Sequence, residues 1–153
     1  MKIDRINSML ALTANIGILI GLFFVILELR QNQETLDASI QLSLSSGYQE
    51  IASRPVENRQ FAAVLVKAFG NLDDLDMVDK VQIMNWNQEQ LTLLYATYEL
   101  RNSGIVSEAV WDHNAKWFAS FLETPHILEF YETYSRIGYP EEFFLEIESR
   151  ICD

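Results

Sequence analysis

The sequence predicts an all-α chain: an N-terminal transmembrane helix continuing into a connecting helix, then a small antiparallel helical bundle. Three observations predict it. Residues 6–27 contain no Asp, Glu, Lys, Arg, His or Pro. Beyond them, apolar positions recur at intervals of three and four, the period of a helix with one buried face. No segment sustains the period-two alternation of a half-buried strand. The boundaries that follow are 1–27 for the tail and membrane helix, 28–54 for the connecting helix, and 55–153 for an acidic all-helical domain.

The uncharged stretch has the dimensions of a membrane span. At 1.5 Å per residue its roughly 22 positions extend about 33 Å, against a hydrocarbon core of about 30 Å. A secretory signal has an apolar region of only about 7–15 residues and a small-residue cleavage site. Here the run is longer, no Ala-x-Ala pattern follows, and the chain passes without a breaker into Glu28. An uncleaved anchor is therefore expected, with membrane lipid as its surroundings. Lys2 and Arg5 precede the span, whereas Arg30 is the only cation just after it. The positive-inside rule favours a cytoplasmic N-terminus and an exported, periplasmic C-terminal domain.

Two faces of this helix bear on assembly. Thr13, Gly17 and Gly21 are spaced by four and form one small-residue stripe, the kind of surface on which membrane helices approach closely. Asn15 lies near the middle of the span on another face, shared with Ser8 and Ala11. Polar groups at that depth usually face protein or water. Two distinct faces are what a head-to-tail ring requires, since a two-fold dimer needs only one.

From Glu28 the helical pattern runs on. Gln31, Asn32, Gln33 and Glu34 form a polar collar at the membrane edge. Leu36, Ile40, Leu44, Tyr48 and Ile51 then make a narrow apolar stripe. Ser45, Ser46 and Gly47 weaken the helix, and Pro55 ends it or begins the next element. A short amphipathic helix over 61–69 is closed by Gly70. Asp76 caps a long helix, with Asp79 favouring its positive start. Its expected core stripe is Met77, Val81, Met84, Leu91, Tyr95 and Tyr98. Gly104 terminates it, Ser107 opens the next helix, and Thr124-Pro125 starts another. Gly138 and Pro140 punctuate the last short helices.

Composition narrows the chemistry. The formal net charge is −11, of which Lys2, Asp4 and Arg5 contribute +1, leaving −12 beyond the N-terminal tail. So acidic a body repels phosphate backbones, and no nucleic-acid partner is expected. The single Cys152 excludes an internal disulfide. His113 and His126 are read as solvated or capping residues. A di-metal bundle site needs inward Glu with Glu-x-x-His pairs, yet the one such pair, Glu123 with His126, is broken by Pro125, and His126-x-x-Glu129 runs in the reverse order. Asp73, Asp74, Asp76 and Asp79 lack the central Gly and terminal Glu of a calcium loop and read as a loop with a helix cap. No nucleophile elbow or phosphate loop occurs. No metal, cofactor or catalytic residue is assigned, and no enzyme activity is expected. The aromatic load of Trp86, Trp111, Trp117, Tyr131, Tyr134, Tyr139, Phe143 and Phe144 suits a core and a protein–protein surface.

Around the anchor, Ala14-Asn15-Ile16-Gly17-Ile18-Leu19-Ile20-Gly21 and Glu28-Leu29-Arg30-Gln31-Asn32 resemble the opening of a group of uncharacterised, small, single-span bacterial membrane proteins. In that group a glycine-containing helix runs into a Glu-Leu-Arg-Gln-Asn-type segment and then a helical domain. The resemblance implies this architecture and a bacterial inner-membrane location, with no activity to carry over.

The leading expectation is a membrane-anchored, homo-oligomeric interaction or scaffold subunit, with other membrane proteins as further partners. Thr13, Gly17 and Gly21 pack helix on helix, and Asn15 supplies a second, polar contact. The first alternative is a ring-shaped pore with Asn15 facing the lumen and Glu28 forming an acidic ring that selects cations. The second is a membrane-tethered sensor holding a small ligand within the aromatic bundle. Replacing Asn15 by Leu is expected to lower the oligomeric mass in detergent; an unchanged mass removes the second contact face.

Overall fold

A computed structural model describes residues 2–122, 124–135 and 137–150. Cys152 and Glu123 lie outside them, as do the side chains of Lys2, Asp4, Arg5, Ser8, Ala11 and Tyr134. The described chain is all-helical. It comprises α1 (Lys2–Glu57), α2 (Arg59–Gly70), α3 (Met77–Asn102), α4 (Glu108–Ser120), α5 (Pro125–Phe130) and α6 (Glu141–Glu148), with a 3-10 turn at Leu72–Asp74 and a π-helical turn at Tyr131–Ser135. Two compact units divide at Ile40 and Gln41.

The first unit is the N-terminal part of α1. It contains the one helix among the described residues that is long and apolar enough to cross a membrane, and its apolar window is wholly unburied. Ile16, Leu19, Phe23 and Phe24 are all exposed. A row of bare aliphatic and aromatic side chains is stable in hydrocarbon and costly in water.

The second unit begins with the last turns of α1 and is organised around α3. Ser45, Ser46 and Gly47 do not interrupt α1, because Gly47 is there for contact. A Cβ at Gly47 would lie 3.2 Å from Leu93 Cδ1, so hydrogen at this position lets α1 settle onto α3. At the next residue, Tyr48 Oη and Thr97 Oγ1 share a hydrogen bond of 2.9 Å. Ile51 is buried, and Arg54 pairs with Glu89 at 2.6 Å. Pro55 does not stop the helix either, which runs on to Glu57. Proline removes the bond to the Ile51 carbonyl and crowds that carbonyl, and α1 ends two residues later.

The expected caps at Asp76 and Ser107 form, and Asn58 adds one that the sequence reading did not include. Asp76 accepts from the amides of Val78 and Asp79 at 2.8 and 2.9 Å. Ser107 caps α4 through the Val110 amide. Asn58 accepts from Phe61 N and opens α2. Pro125 occupies the first turn of α5, although the Thr124 side chain makes no capping bond. Gly104 and Gly138 take positive φ of 77° and 100° after α3 and before α6, conformations that L side chains rarely adopt.

The expected stripe on α3 is correct only in its C-terminal part. Leu91 and Tyr98 are buried, but Met77, Val81 and Met84 are exposed. The buried row is Ile83, Trp86, Asn87, Gln90, Leu91, Leu94, Thr97 and Tyr98. A search for apolar side chains passes over a row that carries three polar residues, and selects the neighbouring face.

Two apolar clusters flank α3. One gathers Ile51, Phe61, Val64, Leu65, Ala68, Leu75, Ile83 and Trp86 from α1, α2 and α3. The other joins Leu91, Leu94 and Tyr98 to Trp111, Phe118, Ile127, Phe143 and Ile147. Trp111 is fully buried at the centre of the second. Its Nε1 donates to Glu146 Oε2 at 3.0 Å, while Arg101 Nη2 donates to both oxygens of Glu146 at 2.7 Å. The guanidiniums of Arg101 and Arg150 lie over the indole at 5.3 and 5.4 Å. Replacing the carboxylate by an amide removes its charge and one acceptor oxygen, and turns an NH2 group toward a half-buried guanidinium. Glu146→Gln is expected to lower unfolding free energy by about 1–3 kcal/mol, and Trp111→Ala by about 3–5 kcal/mol, both read by chemical denaturation of the full chain in detergent.

Candidate ligand-binding cavity

The two buried polar residues on opposing helices, Asn87 of α3 and His126 of α5, define the site. Each is only 2% exposed. The α3 register that buries Ile83, Leu91 and Leu94 buries Asn87 with them. On α5, the Pro125 start places His126, Ile127 and Phe130 on the inward face. His126 is thus neither solvated nor a cap, a correction to the sequence reading. Its ring sits edge-on to Phe69 at 5.2 Å and tilted against Trp86 at 6.2 Å. His113 is exposed.

The hydrogen bonds between them fix which atoms remain unpaired. Asn87 Nδ2 donates to the His126 carbonyl at 3.1 Å. A carbonyl only accepts, so the amide nitrogen must face it and Oδ1 must point elsewhere. The same Nδ2 lies 3.3 Å from His126 Nδ1. A donor at that distance requires Nδ1 to be the bare nitrogen, which puts the ring proton on Nε2. Neither Asn87 Oδ1 nor His126 Nε2 has a partner among the described residues, and both are shielded from solvent. Each such orphan costs about 1–3 kcal/mol relative to a paired group.

Both residues line a cavity of about 340 Å3, together with Leu72, Leu75, Met77, Lys80, Val81, Ile83, Met84, Glu129 and Phe130. Ligand pockets start at about 300 Å3 and are mainly apolar with a few placed polar groups. Met77, Val81 and Met84, expected in the core, here form part of the wall. Lys80 and Glu129 are exposed and opposite in charge. A second cleft, of about 630 Å3, runs between Gln41, Leu44, Tyr48, Ile105, Val110 and Asn114. Three of its polar side chains are already engaged: Gln41 donates to the Ile105 carbonyl at 2.8 Å, Tyr48 is bonded to Thr97, and Asn114 donates to the Val110 carbonyl. Of these two, only the smaller is lined, among the described residues, by side chains that carry an unpaired buried polar atom.

The other residues singled out in the sequence lie elsewhere. Thr13, Asn15, Gly17, Gly21 and Glu28 are all exposed on α1 in the first unit. Thr13 Oγ1 turns back to the Met9 carbonyl at 2.9 Å, and a Cβ added at Gly17 or Gly21 would meet nothing within 4 Å. Trp86, Trp111, Tyr131, Phe143 and Phe144 are buried in the two clusters, while Trp117 is exposed. Among the described residues no group of His, Cys, Asp or Glu could hold a metal ion. Asn87 was missed because an amide inside an apolar register leaves no mark on a hydropathy pattern.

Burial pushes the His126 pKa down from the ordinary 6.5 to about 4. The unfolded chain takes up this proton near pH 6.5 and the folded chain only near pH 4. Between those values the unfolded state holds more protons, so stability is full above about pH 6.5 and falls as pH drops toward 4. Denaturation curves across this window are expected to show a shallower decline for His126→Gln than for the native chain, and nuclear magnetic resonance (NMR) should find His126 neutral at pH 6. Comparison with protein-family models, curated proteins and solved structures finds no match for the chain.

Proposed function

We propose that the protein is a membrane-tethered binding module for a small molecule, with the site at the Asn87–His126 cavity. One observation carries this reading: a mainly apolar cavity of about 340 Å3 is lined by two buried residues, each with an unpaired polar atom. Folding leaves those atoms unpaired at a free-energy cost, and a bound ligand that pairs them recovers part of it. The membrane-spanning segment of α1 holds the module at a bilayer, where apolar molecules concentrate. The Lys2 and Arg5 pair supports a cytoplasmic N-terminus, placing the module on the exported side of a bacterial inner membrane.

A second reading, self-association through α1, is favoured by the open surface at Gly17 and Gly21. Small residues without neighbours leave a flat strip on which a second helix can lie. The two readings are compatible, since an assembled anchor brings several modules together.

The binding reading is tested with full-length protein in lipid nanodiscs and a library of small apolar alcohols, amides, acids and amines. A ligand present at about a hundred times its Kd stabilises by about 2.7 kcal/mol, visible as a raised melting temperature. Met84→Trp, which fills the cavity from its wall, is expected to abolish the rise. A library that stabilises neither protein, or both equally, removes the reading.

A further inference from the structure

The unpaired atoms are of opposite kinds, and this restricts the ligand. His126 Nε2 carries a proton and donates; Asn87 Oδ1 accepts. The His126 carbonyl fixes the orientation of the amide, and the 3.3 Å contact of Asn87 Nδ2 with Nδ1 then places the ring proton on Nε2. Both groups are uncharged, and no cation or carboxylate bonds to either. A carboxylate head would set its charge against the Asn87 carbonyl oxygen. An ammonium head would be left against the imidazole donor. A hydrocarbon would leave both atoms unpaired. Only a neutral group able to accept and donate at once serves both.

We propose that the cavity takes a small neutral amphiphile whose hydroxyl or primary amide head bridges His126 Nε2 and Asn87 Oδ1, with its apolar body against Met77, Met84 and Phe130. This rests on the binding reading above and adds the ligand's class. The two orphan atoms are sealed beneath the present lining, so the head group reaches them as the lining side chains move aside. Met77 and Met84 are suited to that. Both are exposed, and the unbranched thioether side chain repacks readily around different shapes. Lys80 and Glu129 also line the cavity, and their opposite charges leave its wall without a net preference for an ionic ligand.

The experiment uses the full chain in lipid nanodiscs, labelled with 15N at histidine and asparagine, and a series sharing one hexyl body: hexanol, hexanamide, hexanoate, hexylammonium and hexane. Hexanol and hexanamide are expected to shift the His126 imidazole and Asn87 amide resonances saturably. They should bind at least about tenfold tighter than the other three, the factor that corresponds to one restored buried hydrogen bond of about 1.4 kcal/mol. Met84→Trp should remove the shifts while leaving the rest of the spectrum in place, and this variant keeps Asn87 and His126 intact. Equal or tighter saturable binding of hexane, hexanoate or hexylammonium overturns the ligand class and leaves the binding reading standing. No saturable shift from any of the five, as expected if ordered water already bridges the two atoms, overturns both.

Discussion

The Glu146 carboxylate is the point through which three helices of the second unit are fixed to one another. It accepts two bonds from Arg101 of α3 and one from the indole of Trp111 of α4, and it is itself carried by α6. Arg150, one turn further along, adds Asp112 at 3.2 Å and also lies over the indole. An exposed ion pair is worth little by itself. Here the pair sits over a fully buried tryptophan, so its geometry is set by packing and its charge is partly screened from water. The aromatic group of Tyr95, Tyr98, Trp111 and Phe143, with ring centroids 5.2 to 6.1 Å apart, is assembled beneath it. Helices as short as α6 have little stability of their own, and this contact holds α6 in register.

The same long helix that anchors this network also serves the opposite cluster, and the cavity arises between the two. Toward its N-terminal end α3 gives Ile83 and Trp86 to the cluster shared with α1 and α2; toward its C-terminal end it gives Leu91, Leu94 and Tyr98 to the aromatic cluster. Asn87 and Gln90 occupy the turn where one cluster gives way to the other. At that junction a purely apolar contact would allow α5 to slide along α3. The Asn87 bonds to both the ring and the carbonyl of His126 set its position instead. Holding α5 by a pair that satisfies only half of its own hydrogen-bonding capacity leaves a donor and an acceptor unmet. Buried polar networks that are partly satisfied are costly, and that cost is the ground on which a bound ligand is proposed here.

Much of the architecture was readable from local chemistry. Both ends of α3 and the start of α4 follow from Asp76, Gly104 and Ser107, because a cap depends on a few neighbouring backbone groups and on little else. The bare surface of α1 follows from residues 6–27 for a similar reason: a run without charge suits hydrocarbon whatever the rest of the chain does. Gly47 shows where local reasoning fails. As a sequence feature it weakens a helix, while in the fold it is the gap that admits Leu93. Met77, Val81 and Met84 show the same failure in reverse, being apolar residues that hydropathy assigns to a core and packing leaves on a cavity wall.

The sequence by itself determined that the chain is helical, that one segment suits a membrane, and where most helices begin and end. Each of these depends on residues close together in the chain or on the solvent around them. The pairing of Asn87 with His126, the burial of that histidine and the depression of its pKa belong to the tertiary structure alone. The two residues are 39 positions apart. Their protons are assigned by the contacts of the Asn87 amide with the carbonyl and ring of His126, which only the packed α5 presents, so no property of either residue in isolation could foretell them.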